Sequence, residues 1–373
     1  MNVNSTKWVR LGEYIELCNE RNSEGKYTLK DAMGMTITKE IIPTKANLKD
    51  NDLSKFWIVK PGEFVYNPRT HGKKIGLGYN NTGRPFIISW NNIAFRVKDI
   101  NELLPKYLYI IVCREEWDRY ACFQSWGSST EVFSWNEFSL MEIPLPDIKI
   151  QQELVDVYNG LKALAEQNEA LIEPLNNACE AFIVNCMKKY NSVKLYEYIE
   201  LCDERNKNNI YNDKNLKGVT NEGIFEDSRA NIMGLNFSNY KIVKKGEFTY
   251  NPSRINLGSI ALNNDRNYIV SQMYCNFRIK RNKINILLPE FLNIWFRRKE
   301  FQRSTLFYAT GSVRDTFDFE LMCNVTIPLP PIEVQKSIIN IYQCLEEAKR
   351  IAFEAREKLK TLCPALVQRA ANT

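Results

Sequence analysis

The sequence predicts an α+β protein made of two copies of one module, each an α/β domain followed by a long helix. Residues 11–22 read LGEYIELCNERN, and residues 195–206, 184 positions later (195 − 11), read LYEYIELCDERN, with 10 of 12 residues identical. The same offset relates three further pairs of segments: 59–68 with 243–252, 103–105 with 287–289, and 143–146 with 327–330. A heptad-like apolar pattern closes each copy. A period of this length is a whole domain and not a solenoid repeat.

Each module begins with strand patterns and continues with a helical one. We predict strands at residues 64–66 and 248–250, which follow turn signals containing glycine and alternate as strands do. Helices are predicted at 104–113 and 288–296, because a proline in the first turn precedes apolar residues at helical spacing. The modules are therefore expected to be mixed α/β domains.

After each Ile-Pro-Leu-Pro segment, apolar residues recur three and four positions apart, as they do along a coiled-coil seam. The predicted packing residues are Leu154, Val157, Leu161, Leu164, Asn168 and Leu171 in the first helix and Ile338, Ile341, Leu345, Ala348, Ala352 and Leu359 in the second. We expect two long antiparallel helices that separate the modules by roughly 45–60 Å at 1.5 Å per residue, with pseudo-twofold symmetry.

The repeat also sets the expected domain boundaries, which are 1–147, 148–188, 189–331 and 332–373. The first and third segments are the α/β domains, and the second and fourth are the central and C-terminal spacer helices. Pro174 lies inside the first helix and is expected to kink or divide it. Asn168 fits either a buried polar contact that fixes helix register or a tolerated polar residue.

Composition excludes several classes of protein. An apolar content of 44% excludes a disordered chain, no run of 18 apolar residues predicts a membrane span, and residues 1–8 lack a signal-peptide core, so we expect a cytoplasmic protein. The 10 cysteines include no CxxC pair, and there is a single histidine, which argues against disulfides and zinc. Cys179 and Cys186 are interpreted as small buried side chains.

Charge is distributed unevenly along each module, although the net charge of +6 is modest. Residues 64–98 contain no acid, and residues 248–289 contain only Asp265. The cations of these two stretches are Arg69, Lys73, Lys74, Arg84, Arg96 and Lys98, and then Arg254, Arg266, Arg278, Lys280, Arg281 and Lys283. Since a solvated surface usually mixes both signs, the pattern predicts a phosphate-facing surface.

Catalytic motifs are absent. Asn67-Pro68 lacks the second proline and the aromatic of an adenine methyltransferase motif, so we interpret it as a turn that presents the basic loop. There is no GxxxxGK[ST] loop and no nuclease-like carboxylate cluster. His71 has no counterpart in the second module, which leaves a DNA contact or a surface residue. The sequence predicts no catalytic residue, no metal site and no cofactor site in this chain.

The chain resembles the specificity (S) subunit of type I restriction-modification systems along its whole length. The resemblance is carried by residues 143–151 (IPLPDIKIQ) and 327–335 (IPLPPIEVQ), by Thr310-Gly-Ser-Val-Arg314 with Phe317, and by residues 250–259 (YNPSRINLGS). It implies a non-catalytic subunit whose two target recognition domains each read one half of a bipartite double-stranded DNA site. The first late loop, residues 127–130, lacks a counterpart of Arg314, so the site should be asymmetric.

The resemblance also implies partners. These are two modification subunits that use S-adenosylmethionine and, where the host has them, two restriction subunits that use ATP and Mg²⁺. The helices would dock the modification subunits, and the candidate residues, each of which could instead complete the helix seam, are Ile150, Tyr158, Ile172, Ile183, Ile339 and Tyr342.

Within that framework, Arg and Asn side chains are expected at base edges, and Lys, Arg and Ser side chains at phosphates. The base-edge candidates are Arg69, Arg84, Arg229, Asn231, Arg254, Asn256 and Arg314, and the phosphate candidates are Lys73, Lys74, Arg266, Ser128 and Ser312. His71 and Ser253 complete the set of expected DNA-binding residues.

Two other functions compete with this interpretation. A fused methyltransferase or a nuclease would require a cofactor loop or a catalytic cluster. A protein-binding scaffold or decoy of a restriction system would use both modules without reading DNA sequence, and salt-sensitive DNA binding would argue against it.

Overall fold

The computed structural model describes residues 7–48, 51–71, 74–126, 131–228, 234–308 and 316–372, with the side chains of residues 70, 71 and 362–372 excepted. The chain forms two compact units. The first contains residues 1–168 together with 351–373, and the second contains residues 169–350. The described helices include none that is long and apolar enough to cross a membrane.

In the part of the chain that the structure describes, the first unit contains ten strands and three short α-helices before the first long helix begins. They are β1 (Lys7–Arg10), β2 (Ile15–Leu17), β3 (Met33–Met35), β4 (Ile41–Pro43), β5 (Trp57–Val59), β6 (Phe64–His71), β7 (Lys74–Tyr79), β8 (Phe86–Ile88), β9 (Ile93–Val97), α1 (Pro105–Val112), α2 (Glu115–Phe123), α3 (Trp135–Leu140), β10 (Glu142–Leu145) and the long helix α4 (Ile148–Lys189).

The second unit follows the same order of elements. They are β11 (Ser192–Lys194), β12 (Ile199–Cys202), β13 (Lys217–Val219), β14 (Phe225–Asp227), β15 (Lys241–Val243), β16 (Phe248–Tyr250), β17 (Ile260–Leu262), β18 (Tyr268–Val270), β19 (Cys275–Ile279), α5 (Pro289–Arg297), α6 (Lys299–Tyr308), α7 (Phe319–Asn324), β20 (Thr326–Pro328) and the long helix α8 (Ile332–Asn372).

Sheet topology is the same in both units. A four-stranded antiparallel sheet has the order β2-β9-β6-β7 in the first unit and β12-β19-β16-β17 in the second, so β7 and β17 are edge strands. Smaller antiparallel pairs are β1 with β10, β3 with β4 and β5 with β8, repeated as β11 with β20, β13 with β14 and β15 with β18. The two sequence copies therefore fold alike.

Alternation along β6 places the core on one face of the sheet. Phe64 and Tyr66 are fully buried on the side covered by the helices, whereas Val65 packs into a separate cluster on the other side. The Phe64 ring stacks on Phe95 at 5.0 Å, and the equivalent Phe248 ring stacks on Phe277 at 4.9 Å. Side chains alternate between the two faces of a strand, so aromatic residues two positions apart, such as Phe64 and Tyr66, lie on the same face.

A buried glutamine fixes the start of each long helix to its own domain. The Gln151 Oε1 atom accepts the Leu104 N–H at 2.9 Å, and its Nε2 atom donates to the carbonyls of Glu102 and Pro146, each at 2.9 Å. Gln335 forms the same three bonds, to the Leu288 N–H and to two carbonyls, at 2.8–2.9 Å. Because both side chains are fully buried, all three bonds form away from water.

The long helices run antiparallel within each unit. In the first unit, Val155 near the start of α4 belongs to the core cluster against which Leu359 of α8 packs. In the second unit, Ile183 and Cys186 near the end of α4 share a core cluster with Ile338 near the start of α8. Pro174 lies inside α4, which continues to Lys189, so the expected division of this helix is not observed.

The seam of α4 differs from the predicted one. Leu154 is buried and Leu161 and Asn168 are half-buried, but Val157, Leu164 and Leu171 are 40%, 43% and 50% exposed. The buried stripe lies one position later, at Val155, Ala165, Cys179, Ile183 and Cys186. Two apolar stripes overlap in this helix, and the fully buried Gln151 lies one turn before Val155 on the second of them.

Asn168 does not fix helix register, because its Nδ2 atom donates to the Leu164 carbonyl of its own helix at 2.8 Å. In α8 the predicted positions face the core. Ile338, Leu345, Ala348 and Ala352 are buried, and Ile341 and Leu359 are half-buried.

Candidate nucleic-acid interface

The predicted basic loop of the first module is the end of the β6–β7 hairpin. Asn67 is not followed by a simple turn, because β6 continues to His71 with a register shift between Tyr66 and Thr70. The Asn67 Oδ1 atom accepts the Arg69 N–H at 3.0 Å, which forms an Asx turn inside the strand. Arg69 and Lys74 are exposed on either side of this hairpin end.

The corresponding segment of the second module is a compact loop between β16 and β17. The Asn251 Oδ1 atom accepts the Ser253 N–H at 3.0 Å, and a 3-10 turn follows at Ile255–Leu257. The side chain of Ile255 is buried, whereas Arg254 is exposed. Gly258 closes the loop with a φ of 98°, a conformation that favours glycine. The buried isoleucine therefore anchors a loop that presents arginine to solvent.

Both late loops end beside these segments. The Phe133 N–H donates to the Pro68 carbonyl at 2.7 Å, and the Phe317 N–H donates to the Pro252 carbonyl at 3.0 Å. In the first module a β-bridge also joins Arg69 to Val132. Each module thus brings the ends of two loops to one edge of its domain.

The predicted DNA-binding residues are distributed unequally over this edge. Arg69, Lys74 and Arg254 lie on it and are exposed, while Ser253 and Asn256 are half-buried. Seven expected contacts fall wholly or in their side chains outside the described part of the chain, and these are His71, Lys73, Ser128, Arg229, Asn231, Ser312 and Arg314.

Arg84 and Arg266 lie at the opposite end of their hairpins. Arg84 follows the far end of β7, whose six residues span about 20 Å at 3.4 Å per residue. Both arginine carbonyls accept a hydrogen bond from a buried asparagine, Asn80 at 3.0 Å and Asn263 at 2.9 Å. The structure therefore does not bring these two arginines to the edge that carries Arg69 and Arg254.

Some cations of the acid-poor stretches are structural. The Arg96 Nε atom donates to Glu16 at 2.7 Å, and Arg278 donates to Glu200 at the same distance. These ion pairs join neighbouring strands whose partners lie about 80 residues away in sequence, so the local absence of acids gave no sign of them. A run of sequence without acids need not form a surface without acids.

Exposed aromatic residues shortly before the late loops are a feature that sequence reasoning missed. Phe123 at the end of α2 is 79% exposed, and Phe307, 184 positions later near the end of α6, is 83% exposed. Trp126 and Tyr308 beside them are 72% and 59% exposed. The repeat itself contained the signal, because phenylalanine occurs at the same position of both copies just before the Gly-Ser pair of the late loop.

The predicted docking residues are used within the modules. Ile183 and Ile339 belong to the core cluster of the second unit, and Tyr342 packs against it. Ile150 and Tyr158 pack against the core cluster of the first unit. Of the two roles that the sequence left open for these residues, the structure supports intramolecular packing.

Comparisons with known proteins agree with this architecture. Residues 187–361 match the family model described as the type I restriction modification DNA specificity domain. No curated protein matches the chain. The fold is similar to the type I restriction-modification system S subunit from M. genitalium, with a TM-score of 0.62 and 11% identity over 99% of this chain and 97% of that one.

A second solved structure, the HsdS subunit from Thermoanaerobacter tengcongensis, aligns with a TM-score of 0.41 and 16% identity over 99% of this chain and 97% of that one. At these identities, the likeness of the first structure shows the fold. The predicted α+β fold class and the resemblance to specificity subunits are confirmed.

Proposed function

Because residues 187–361 match the family model of the type I restriction modification DNA specificity domain and the first half of the chain repeats the fold of the second, we propose that the chain is the DNA sequence-specificity subunit of a type I restriction-modification complex. Each module reads one half of a bipartite DNA site. The chain itself is non-catalytic, and S-adenosylmethionine, ATP and Mg²⁺ belong to its partner subunits.

The observation that carries this proposal is that each module has an equivalent edge at which the same features meet. In each, an Asx turn at Asn-Pro, an exposed arginine and the end of the late loop meet at one place. Arginine is suited to such a site because its guanidinium donates two parallel hydrogen bonds to guanine in the major groove. Arg69 and Arg254 are therefore the first candidates for base contacts.

The two half-sites should differ, because the reading segments differ in shape. The first is a hairpin of eight-residue and six-residue strands, and the second is a loop with a 3-10 turn between strands of three residues. A hairpin and a compact loop present their side chains at different spacings. The DNA target is thus expected to be asymmetric.

Exposed aromatic residues support contact with DNA at the same edge. Phe123 and Phe307 offer exposed apolar surface on α2 and α6, helices that contact β7 and the Ile255–Leu257 turn respectively. Exposed aromatic side chains are found where proteins stack on bases or insert between base steps. We assign them to the DNA interface together with Arg69 and Arg254.

The long helices act as the spacer and as the docking surface for two modification subunits. Val157 and Leu164 lie seven residues apart on one face of α4 and remain 40% and 43% exposed. Because Ile150, Tyr158, Ile183, Ile339 and Tyr342 pack within the modules, we assign docking to this exposed face.

The proposal is tested by mapping adenine methylation in a host that carries this chain and a modification subunit, with the same host lacking the chain as the control. A split, asymmetric methylated motif that disappears with the chain is the expected result. An unchanged methylome, with the complex shown to assemble, would favour the scaffold function instead.

A further inference from the structure

The buried Lys39 side chain binds the main chain of β7, the second strand of the hairpin that forms the reading segment of the first module. Lys39, at the tip of the β3–β4 hairpin, is only 3% exposed. Its Nζ atom donates to the Ile75 carbonyl at 2.6 Å and to Asp118 Oδ1 at 2.5 Å. The same carboxylate oxygen accepts the Ile75 N–H at 3.2 Å. Both polar main-chain groups of Ile75, the residue after Lys74, therefore bind this one ion pair.

The second module binds the corresponding strand with a cation from another position. Arg297, at the end of α5, donates through Nη2 to the Gly258 carbonyl at 2.8 Å and to the Ile260 carbonyl. Gly258 closes the loop that carries Arg254, and Ile260 is the first residue of β17. In both modules the cation thus binds carbonyls at the beginning of the edge strand that leads away from the reading segment.

The residues at equivalent positions around the two cations differ between the modules in a correlated way. At an offset of 184, Lys39 corresponds to Gly223, Cys113 to Arg297 and Asp118 to Gln302. A Cβ atom at Gly223 would lie only 2.0 Å from Arg297 Nη1, so the space that a side chain would take there is occupied by the guanidinium. The cation has moved from a hairpin tip to a helix end, while its target in the fold is the same.

Burial of these cations has an energetic cost that apolar residues would avoid. Desolvation lowers the pKa of Arg297, and within the described part of the chain no ion pair of this arginine is seen. Replacement of a buried charge network by well-packed apolar side chains is often neutral or stabilising. Stability alone is thus a weak reason for a buried cation at this place in both modules, whereas control of the strand's position is a sufficient one.

We propose that Lys39 with Asp118, and Arg297, are positioning residues that fix the two reading segments for base recognition. The inference rests on the proposed function, because it assigns these residues to the accuracy with which Arg69 and Arg254 meet the bases. Neither cation needs to touch DNA. Each acts on its own half-site, since each binds only the segment of its own module.

The test uses the complete complex and the methylation map. Arg254→Ala first identifies the half-site that the second module reads. Arg297→Gln is then compared with Arg205→Gln, a matched control in which an arginine also donates to a main-chain carbonyl, that of Asn239 at 3.2 Å, away from the reading loop. Lys39→Met with Asp118→Leu removes the ion pair of the first module without leaving an unpaired charge.

We expect Arg297→Gln to relax the half-site that Arg254→Ala relaxes, with at least about tenfold more methylation at non-cognate sequences, because the Gly258 and Ile260 carbonyls lose their charged donor. Arg297→Lys should give an intermediate result. The double variant of the first module should relax only the other half-site, and Arg205→Gln should relax neither.

Unchanged half-sites in Arg297→Gln and in the double variant would overturn the inference. So would an equal loss of methylation at all sequences, because that result indicates a general loss of folded complex. If the unsubstituted chain directs no split motif, the proposed function fails first, and the two failures are thus distinguishable.

Discussion

The two modules share a scaffold and differ at the ends that face the proposed DNA site. Their sheets have the same strand order, and their glutamine joints make the same three hydrogen bonds. Their reading segments differ in length, in backbone conformation and in the cation that holds them. The scaffold packs alike in both copies, whereas the reading segments differ without any change in the strand order of the sheet.

The largest expected effect on stability tests whether the cores of the two modules are equivalent. Phe95→Ala and Phe277→Ala each remove a fully buried ring that stacks on its neighbour. We expect each to lower the free energy of unfolding by about 3–5 kcal/mol, measured by denaturant unfolding of the affected unit. A much smaller loss in one of the two would show that the cores are not equivalent.

The glutamine joints provide the next test. Gln151→Ala and Gln335→Ala leave a buried N–H and two carbonyls without their partner, which should cost roughly 1–3 kcal/mol in each unit. Thermal unfolding of the two variants beside the exposed Gln152→Ala measures the effect. Equal losses would support equivalent joints, and a loss in Gln152→Ala as large as theirs would contradict the assignment.

Substitutions of the base-reading arginines should affect a different half-site in each module. Arg254→Ala is expected to weaken binding of the cognate site by about 1–3 kcal/mol and to relax one base position in one half-site. Arg69→Ala should do the same in the other half-site. Binding to a panel of DNA duplexes with single base changes checks both. Normal binding of every duplex by Arg254→Ala would show that this arginine reads no base.

A smaller and less specific effect is expected at phosphates. Lys74→Ala should weaken binding to all sequences alike and reduce the slope of log affinity against log salt concentration by about 1. The measurement is a salt titration of DNA binding with Lys336→Ala as the control, since Lys336 is on α8 and pairs with Glu333 at 3.0 Å. A change confined to one base pair would identify Lys74 as a base contact instead.

The smallest effect concerns two equivalent thiols and should be the same in both modules. Burial, with the nearby carboxylates of Glu63 and Glu247, raises the pKa of Cys18 and of Cys202 to about 12. Since the folded-state pKa exceeds the ordinary value of 9.0, their contribution to stability is present below pH 9 and is lost as pH rises toward 12. The melting temperature of Cys18→Ala and Cys202→Ala should fall less steeply above pH 9 than that of the unsubstituted chain. An equal decline of the melting temperature with pH in the two variants and the unsubstituted chain would show that these thiols do not cause the loss of stability.

Sequence reasoning located much of the scaffold and part of the site. The helices predicted to start near Pro105 and Pro289 begin at those residues, and the predicted strands at 64–66 and 248–250 lie in β6 and β16. These features depend on neighbouring residues, through proline at the first turn and alternation along a strand. The expected DNA-binding residues do not all lie together, because Arg84 and Arg266 lie at the opposite end of their hairpins from Arg69 and Arg254. The exposed Phe123 and Phe307 were not among the expected residues.

The sequence by itself determined that the protein is a duplicated α+β module with long antiparallel helices, because the repeat and the apolar periodicity can be read directly from the order of the residues. Only the tertiary structure decided which of two overlapping apolar stripes of α4 is buried, and which cations of the acid-poor stretches have acidic partners. Arg96 and Arg278 are paired with Glu16 and Glu200, about 80 residues away. Such outcomes depend on contacts between distant parts of the chain, and these contacts form only when the modules pack.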